Sequence, residues 1–292
     1  MPYSCMKRMI FICFLFTLVP YIVFASPKAN AEVLLLVEES KNLLTQKDYD
    51  SAIITLTKAI KVEAQYAESY FLRGNAYFLK KEYDLARTDF SKCIEIDAQF
   101  PYAYFHRGLV YSATDQYDLA VRDFSREIQI NPQFAGSYEM RGLIYDAEGQ
   151  YDLAIADYSK LIELYPQNAE GYLNRGNAYI HKRNWDLAIH DFSKTIEIEP
   201  ENYKAYFGRG VSYGCKQQFD LAILDLSQSI EINPRESKAY NNRGVFYGIT
   251  GKTELAKGDF LKALEITPQF PEASKNLELI SSNQSMMFNI KL

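Results

Sequence analysis

The sequence has little of the residues that mark unusual classes of protein. Its 292 residues include 14 Gly, 10 Pro, three His, four Cys and one Trp. So little Gly and Pro excludes a collagen-like or low-complexity chain, and a hydrophobic content of 48% excludes a disordered one. The chain therefore folds, and the regular spacing of its 23 Tyr and 18 Phe indicates an internal repeat.

The first 31 residues contain no Asp or Glu. Two basic residues precede Met9–Phe24, 16 residues without a charge, fewer than the roughly 20 that a membrane-spanning helix needs. This pattern predicts a secretory signal peptide at residues 1–31, cleaved before Glu32. Cleavage after Ala25 and an uncleaved membrane anchor are the alternatives. We expect an exported protein, in the periplasm or cell envelope, with secretion or membrane anchoring as the other locations.

Acidic residues dominate the rest of the chain. The net charge is −5, and it becomes −8 once the leader is removed with its three positive charges. Such a surface repels phosphates, so we expect no nucleic-acid partner, and membrane contact only through an uncleaved leader. Cys93 and Cys215, the two Cys outside the leader, lie four repeats apart, and we therefore expect no disulfide.

A period of 34 residues organises the remaining sequence. The dipeptide Arg-Gly recurs six times at this spacing, from Arg73-Gly74 to Arg243-Gly244. With Gly at position 8, the units span 33–66, 67–100, 101–134, 135–168, 169–202, 203–236 and 237–270. Aromatic residues at positions 4 and 11 mark one face of a first helix. An aromatic residue at 17, Ala at 20 and a large residue at 24 mark a second helix, which Pro at 32 ends in five units.

These recurring residues resemble the tetratricopeptide repeat family, over about nine tenths of the chain. The resemblance implies an all-α fold over residues 32–282, a right-handed α-solenoid of stacked antiparallel helical hairpins. Residues 271–282 are predicted to form a capping helix. Position 27, which is usually small, is Glu127, Leu161 and Thr195 in the middle units, and nothing in the sequence explains Glu127.

A polar pair accompanies the apolar pattern. Six units carry Arg at position 7 and Asp at position 23, whereas the first unit has Glu39 and Thr55 there and lacks both. This joint absence predicts a structural Arg–Asp bridge between the two helices of each hairpin.

Most catalytic and metal-binding motifs are missing. HExxH, GxGxxG and the phosphate-binding GxxxxGK followed by Ser or Thr do not occur. Residues 210–214 match GxSxG, but they lie inside a first helix of the repeat, whereas that motif needs a turn from a strand into a helix. His106, His181 and His190 fall at positions 6, 13 and 22 of the repeat and cannot converge on one ion. We therefore predict that the protein is not an enzyme and needs no cofactor and no metal.

In the family, the first helix of each hairpin lines a concave groove where ligands lie, and the resemblance implies that positions 2, 5, 6, 9, 12 and 13 face it. We predict that this groove binds a peptide or protein segment. The candidate residues are Phe71, Leu72, Asn75, Phe78, Tyr102, Phe105, His106, Glu139, Met140, Asn174, Asn177, Lys204, Phe207, Lys238, Asn241 and Asn242. The alternative is that the Phe side chains pack between adjacent hairpins and that the Asn side chains are solvated.

A tail segment, residues 283–292, is apolar at Met286, Met287, Phe288 and Ile290. It either has no fixed structure or occupies a groove, of its own chain or of a neighbour, and the latter would produce self-association. The predicted function is a non-enzymatic adaptor for protein–protein interaction. The alternative is a self-associating scaffold or envelope assembly factor.

Overall fold

The computed structural model describes residues 30–282, and the signal peptide and the tail segment predicted from the sequence fall almost entirely outside this range. Within it the chain forms fifteen α-helices and no β-strand. They are α1 (Ala31–Thr45), α2 (Tyr49–Val62), α3 (Ala67–Leu79), α4 (Tyr83–Ile96), α5 (Ala103–Ala113), α6 (Tyr117–Ile130), α7 (Ala135–Ala147), α8 (Tyr151–Leu164), α9 (Ala169–His181), α10 (Trp185–Ile198), α11 (Tyr203–Cys215), α12 (Phe219–Ile232), α13 (Ser237–Ile249), α14 (Thr253–Ile266) and α15 (Pro271–Ser281).

The helices belong to two compact units, which divide between Glu148 and Gly149. Unit 1 contains α1 to α7, and unit 2 contains α8 to α15. In both units consecutive helices pack together, which confirms the predicted fold class of helical hairpins. The division falls at the turn of the repeat 135–168, so the two helices of that repeat belong to different units.

First helices form the inner side of each unit. In unit 1, α1 contacts α3 and α3 contacts α5, and in unit 2 the same holds along α9, α11, α13 and α15. Second helices of successive hairpins in the described chain make no comparable contact. Because the first helices lie closer together, their shared side is the narrow one, as the resemblance implied.

Every hairpin turns at position 15 through a residue with left-handed backbone conformation. Five of these residues are not glycine, with φ between 55° and 63°, and the others are Gly149 and Gly251. A left-handed conformation costs a non-glycine residue roughly 1–2 kcal/mol. The turn keeps its geometry regardless of residue type, so the packing of the two helices determines it.

Small residues at positions 8 and 20 bring the two helices of a hairpin close together. A Cβ added at position 8 of four hairpins would lie 2.7–2.9 Å from the Phe ring at position 24: Gly74, Gly108, Gly176 and Gly244. The Ala at position 20 is fully buried in all seven units. The ring therefore fills the space that the absent side chain leaves.

Helix α5 differs from the first helices around it. It has 11 residues, whereas α3 and α7 have 13. Tyr102, the residue before it, has a left-handed φ of 64°, and the side chain of this N-cap residue makes no hydrogen bond to the helix start.

None of the helices between residues 30 and 282 combines the length and apolar character needed to cross a bilayer.

Candidate functional site

Arg at position 7 and Asp at position 23 form bidentate pairs. In the pair Arg175–Asp191, Nε donates to Oδ2 at 2.7 Å and Nη2 donates to Oδ1 at 2.8 Å. Four further pairs have the same geometry: Arg73–Asp89, Arg107–Asp123, Arg209–Asp225 and Arg243–Asp259. The predicted bridge is therefore confirmed in five hairpins. In the remaining repeat, Arg141 belongs to unit 1 and Asp157 to unit 2.

Each of these Arg side chains also bonds to the preceding repeat, which the sequence analysis missed. Nη1 of Arg175 donates to Oγ of Ser159 at 2.9 Å, and Nη1 of Arg209 donates to Oγ of Ser193 at 3.0 Å. The acceptor is always a Ser or Thr at position 25. The others are Thr57, Ser91, Ser125 and Ser227. One guanidinium thus ties two hairpins together.

The structure divides the sixteen candidate groove residues into two groups. Nine are buried: Phe71, Leu72, Asn75, Phe78, Phe105, His106, Met140, Asn241 and Asn242. Seven keep accessible surface: Tyr102, Glu139, Asn174, Phe207 and Lys238 are half-buried, and Asn177 and Lys204 are exposed. Ligand contact stays a prediction for all of them, and only the second group offers surface to a ligand in this structure.

In unit 1 the buried rings pack within and between hairpins. The Phe71 ring centroid lies 5.7 Å from that of Phe90, 5.2 Å from Phe100 and 4.9 Å from His106. Phe105 makes similar ring contacts with the next turn and helix. Burial lowers the pKa of His106 to about 3, so the imidazole is neutral at pH 7. These contacts favour the alternative that the Phe side chains pack between hairpins.

Asn241 and Asn242 connect α13 to the capping helix. Nδ2 of Asn276 on α15 donates to Oδ1 of Asn241 at 2.9 Å, and Nδ2 of Asn241 donates to Oδ1 of Asn242 at 3.1 Å. All three side chains are fully buried. Asn241 and Asn242 were predicted from the sequence to contact a ligand; in the structure Asn241 bonds α15, and Asn242 bonds Asn241 on its own helix.

One accessible candidate of unit 2, Lys204, lines a pocket. This pocket has a volume of about 710 Å³ and opens at the N-terminal ends of α9 and α11. Its charged lining consists of Glu170, Glu199, Glu201 and Lys204. Burial raises the pKa of Glu170, and the nearby Lys204 acts in the opposite direction. Asn174 follows Glu170 by one helical turn, and Phe207 follows Lys204 by one turn.

Asn174 carries a donor that is not satisfied within the described chain. Its Nδ2 is buried and has no hydrogen-bond acceptor there. An unsatisfied buried donor costs about 1–3 kcal/mol. Nδ2 itself has no accessible surface, so a ligand at this position would contact the other, accessible part of the Asn174 residue.

The hydrogen bonds of Glu127 explain why this repeat has Glu at position 27, where a small residue is usual. Its Oε1 accepts the backbone N–H of Tyr102 at 3.2 Å, and its carboxylate also accepts the N–H of Phe105. Because α5 begins late, these N–H groups have no helical carbonyl partner, and the carboxylate caps the helix. Thr195 and Ser229, at the same position of later repeats, donate to carbonyls at the starts of α9 and α11. Burial raises the pKa of Glu127 to about 7.

Nothing between residues 30 and 282 resembles a metal centre, since no three His, Cys, Asp or Glu side chains are grouped there as ligands.

Models of known repeat families match five segments of the chain. One described as TPR repeat matches residues 74–115 and 142–182. Two described as Tetratricopeptide repeat match residues 169–202, and residues 101–134 and 237–270. Together these segments cover more than half of the chain. The chain belongs to the tetratricopeptide repeat family. A comparison with curated proteins found no match.

Solved tetratricopeptide repeat structures share this fold. The C-terminal part of a TPR repeat-containing protein from Cytophaga hutchinsonii has a TM-score of 0.70 at 19% identity, covering 82% of this chain and 99% of that one. YrrB, described as a TPR protein with an unusual peptide-binding site, has a TM-score of 0.58 at 24% identity, over 61% and 92%. MamA has a TM-score of 0.53 at 28% identity, over 56% and 96%.

Membership of the tetratricopeptide repeat family places this chain among repeat proteins that are in general non-catalytic scaffolds for protein–protein interaction. The repeats of the described chain fit such a role, since small residues at positions 8 and 20 build the stack and leave the inner side variable from repeat to repeat.

Proposed function

We propose that this tetratricopeptide repeat protein is a non-enzymatic adaptor that binds a peptide or protein segment on the inner side of unit 2. The observation that carries this proposal is the pocket of about 710 Å³ that Lys204 lines, with Asn174 and Phe207 one helical turn after the lining residues Glu170 and Lys204. The ring of Phe207 is half-buried and offers apolar surface, and Lys204 offers an exposed cation. YrrB, which has a similar fold, is described as having a peptide-binding site.

Amide groups suit a ligand that is recognised through its backbone. Asn174 and the exposed Asn177 lie on the same face of α9, three residues apart. A side-chain amide pairs with a peptide N–H or C=O without reading the side chains of the ligand. The Nδ2 of Asn174 is buried without an acceptor in the described chain, so the side chain has to rotate before a ligand carbonyl can accept from it.

Export is the second part of the proposal, and it rests on the sequence of the leader. The start of α1 helps to choose between cleavage sites. Oδ1 of Asn30 accepts the N–H of Glu32 at 3.0 Å and caps the helix. Cleavage before Glu32 removes this cap, whereas cleavage after Ala25 keeps it, so we favour cleavage after Ala25.

The test of export is N-terminal sequencing of protein from a periplasmic fraction. A first residue of Ser26 is expected, and an intact Met1 in the cytoplasmic fraction contradicts export.

The binding proposal is tested by affinity capture from native extract with the processed chain. The double variant Asn174→Ala, Phe207→Ala is expected to lose the retained protein. The control is Leu187→Ala, which trims a side chain that is 42% exposed on the second helix α10. Equal folding of all three chains is checked by circular dichroism.

Three outcomes are distinguishable. A protein retained by the wild type and the control but lost by the double variant supports the adaptor. Equal retention by all three chains contradicts the inner side as the site. Recovery of this chain alone, with a dimer or larger mass in light scattering at micromolar concentration, supports the alternative of a self-associating scaffold.

A further inference from the structure

Unit 2 leaves an accessible strip across its inner side. We name as the inner strip the residues Asn177 on α9, Lys204, Phe207 and Cys215 on α11, and Ile249 on α13. Asn177 and Lys204 are exposed, Phe207 and Cys215 are half-buried, and Ile249 is 45% exposed. An exposed Ile and a half-buried Phe on one face give an apolar surface that the described chain does not cover.

Two inner positions of α11 carry no side chain. These positions are Gly208 and Gly214, and both are buried. The ring of Phe192 lies against Gly208 and the ring of Phe246 lies against Gly214, where a Cβ would overlap them. Because these two fully buried rings fill the space, the surface that α11 offers to a segment is that of Lys204, Phe207 and Cys215.

The capping helix directs the following residues toward the inner strip. Asn276 bonds Asn241, so α15 packs beside α13 as a further first helix. Because first helices run parallel, α15 ends on the same edge as α13 and α11. Ser281, its last residue, therefore lies on the edge that carries Ile249 and Cys215.

We propose that residues 283–292 bind across the inner strip of their own chain; this inference rests on the proposed role of the inner side as a peptide site. Ten extended residues reach about 33 Å. Neighbouring helices lie about 8–10 Å apart, so the three steps from α15 to α9 take at most about 30 Å. The segment is therefore long enough to reach α9 along the edge that carries Ile249 and Cys215. It can instead reach Lys204, which lies about 16 Å along α11 from Cys215.

The chemistry of the segment matches the strip. Met286, Met287, Phe288 and Ile290 supply apolar side chains for Phe207 and Ile249. Its only charged residue is Lys291, and the adjoining pocket has three Glu against one Lys. Attachment to α15 gives the segment a local concentration of the order of millimolar, so an external ligand has to displace it. The segment thus acts as an internal competitor.

The test is photocross-linking in the full chain. The photoreactive residue p-benzoylphenylalanine replaces Phe288, and mass spectrometry locates the cross-linked peptides. We expect links within one chain to residues 203–215 or 237–249. Phe207→Ser is expected to lower their yield about tenfold, since it removes apolar contact area. Leu187→Ser, an exposed change on α10, is the matched control and is expected to leave the yield unchanged.

Other cross-linking results overturn the inference. Links confined to second helices, no links at all, and links formed only between two chains each exclude binding to the segment's own inner strip. The proposed function is tested separately, by affinity capture with a chain that ends at Ser282. If that chain retains a protein in a Phe207-dependent manner while cross-links are absent, the inference fails and the adaptor stands. If cross-links form and that chain retains nothing, the inference stands and the adaptor fails.

Discussion

Oε1 of Glu127 accepts the backbone N–H of Tyr102 at 3.2 Å, joining the second helix of a hairpin to the start of its first helix. The carboxylate is fully buried, and its other oxygen, Oε2, has no hydrogen-bond partner in the described chain. Asp123, one turn earlier on α6, adds a like charge. A carboxyl group that is buried beside a like charge holds its proton more strongly in the folded state than in the unfolded chain.

The pH dependence of stability follows from this burial. The pKa of Glu127 is raised to about 7 from an unfolded value near 4.3, so ionisation costs folding free energy. The contribution of Glu127 is most favourable below about pH 4.3 and is lost as the pH rises to 7, a loss of about 3 kcal/mol. Glu127→Gln keeps an oxygen that accepts the N–H of Tyr102, and it is expected to remove this loss.

Urea unfolding at pH 5 and pH 8 checks this expectation. The wild type should lose about 3 kcal/mol more than Glu127→Gln between the two pH values. The control is Glu95→Gln, an exposed Glu that pairs with Lys92 on α4. Carbon-13 NMR titration reads the pKa of Glu127 directly, and a value under 5 would contradict the burial argument.

Removal of Arg175 is expected to cost far more than removal of the hydroxyl that it bonds. Asp191 is 1% exposed, so Arg175→Ala leaves a buried carboxylate unpaired and should lower the free energy of unfolding by about 3–5 kcal/mol. Ser159→Ala removes one hydrogen bond and should cost about 1 kcal/mol. Lys194→Ala, which breaks an exposed pair with Glu197, should cost under about 0.5 kcal/mol. Equal costs for the three changes in urea unfolding would exclude a structural role for the buried pair.

Two glycine-to-alanine changes should move stability in opposite directions. Gly214→Ala places a Cβ in the ring of Phe246 and should cost about 2 kcal/mol or more. Gly258 lies inside α14 with no neighbouring atom within 4 Å of an added Cβ, so Gly258→Ala should stabilise by about 0.5–1 kcal/mol. Thermal unfolding of both variants beside the wild type measures the difference. Stabilisation by both changes would show that the Phe246 ring moves aside without cost.

Loss of the amide that links the capping helix should loosen one end of unit 2. Asn276→Ala removes the bond to Asn241 and is expected to cost about 1 kcal/mol, because a buried hydrogen bond between two side chains is lost. Hydrogen exchange should accelerate in α13 to α15 and stay unchanged in α9 and α10. Lys275→Ala, an exposed neighbour on the same helix, is the control. Uniform acceleration over unit 2 would show that the bond stabilises more than the end of the stack.

The hairpins and their order were predictable because the residues that produce them recur every 34 residues in the sequence. Gly at position 8 and Phe or Tyr at 24 recur together in five repeats, because the ring occupies the space of the absent side chain and the two helices approach closely. The Arg–Asp bridge was predictable for the same reason, since the first unit lacks both partners. Correlated presence and absence is a contact signal that needs no structure.

The groove residues were harder to predict because helical phase gives direction but not exposure. Phe71 and Phe207 occupy the same position of two repeats, yet one is fully buried and the other half-buried. Asn241 has the polarity of a ligand contact, but it bonds a helix that follows 35 residues later. The role of Glu127 depends on the late start of α5, which follows the left-handed Tyr102.

Each Arg bonds a hydroxyl of the hairpin before it, so the array of repeats has a direction. This direction restricts where repeats can be added or removed during evolution. Deletion of residues 169–202 would place Ser159 where Ser193 now accepts a hydrogen bond from Arg209, so the bond would be kept. A copy added after residue 270 would set its Arg against Leu261, which occupies position 25 there and is 56% exposed. Recombination can therefore remove or insert whole repeats within the array without loss of a bond, whereas growth at the end of the array first requires Leu261 to change.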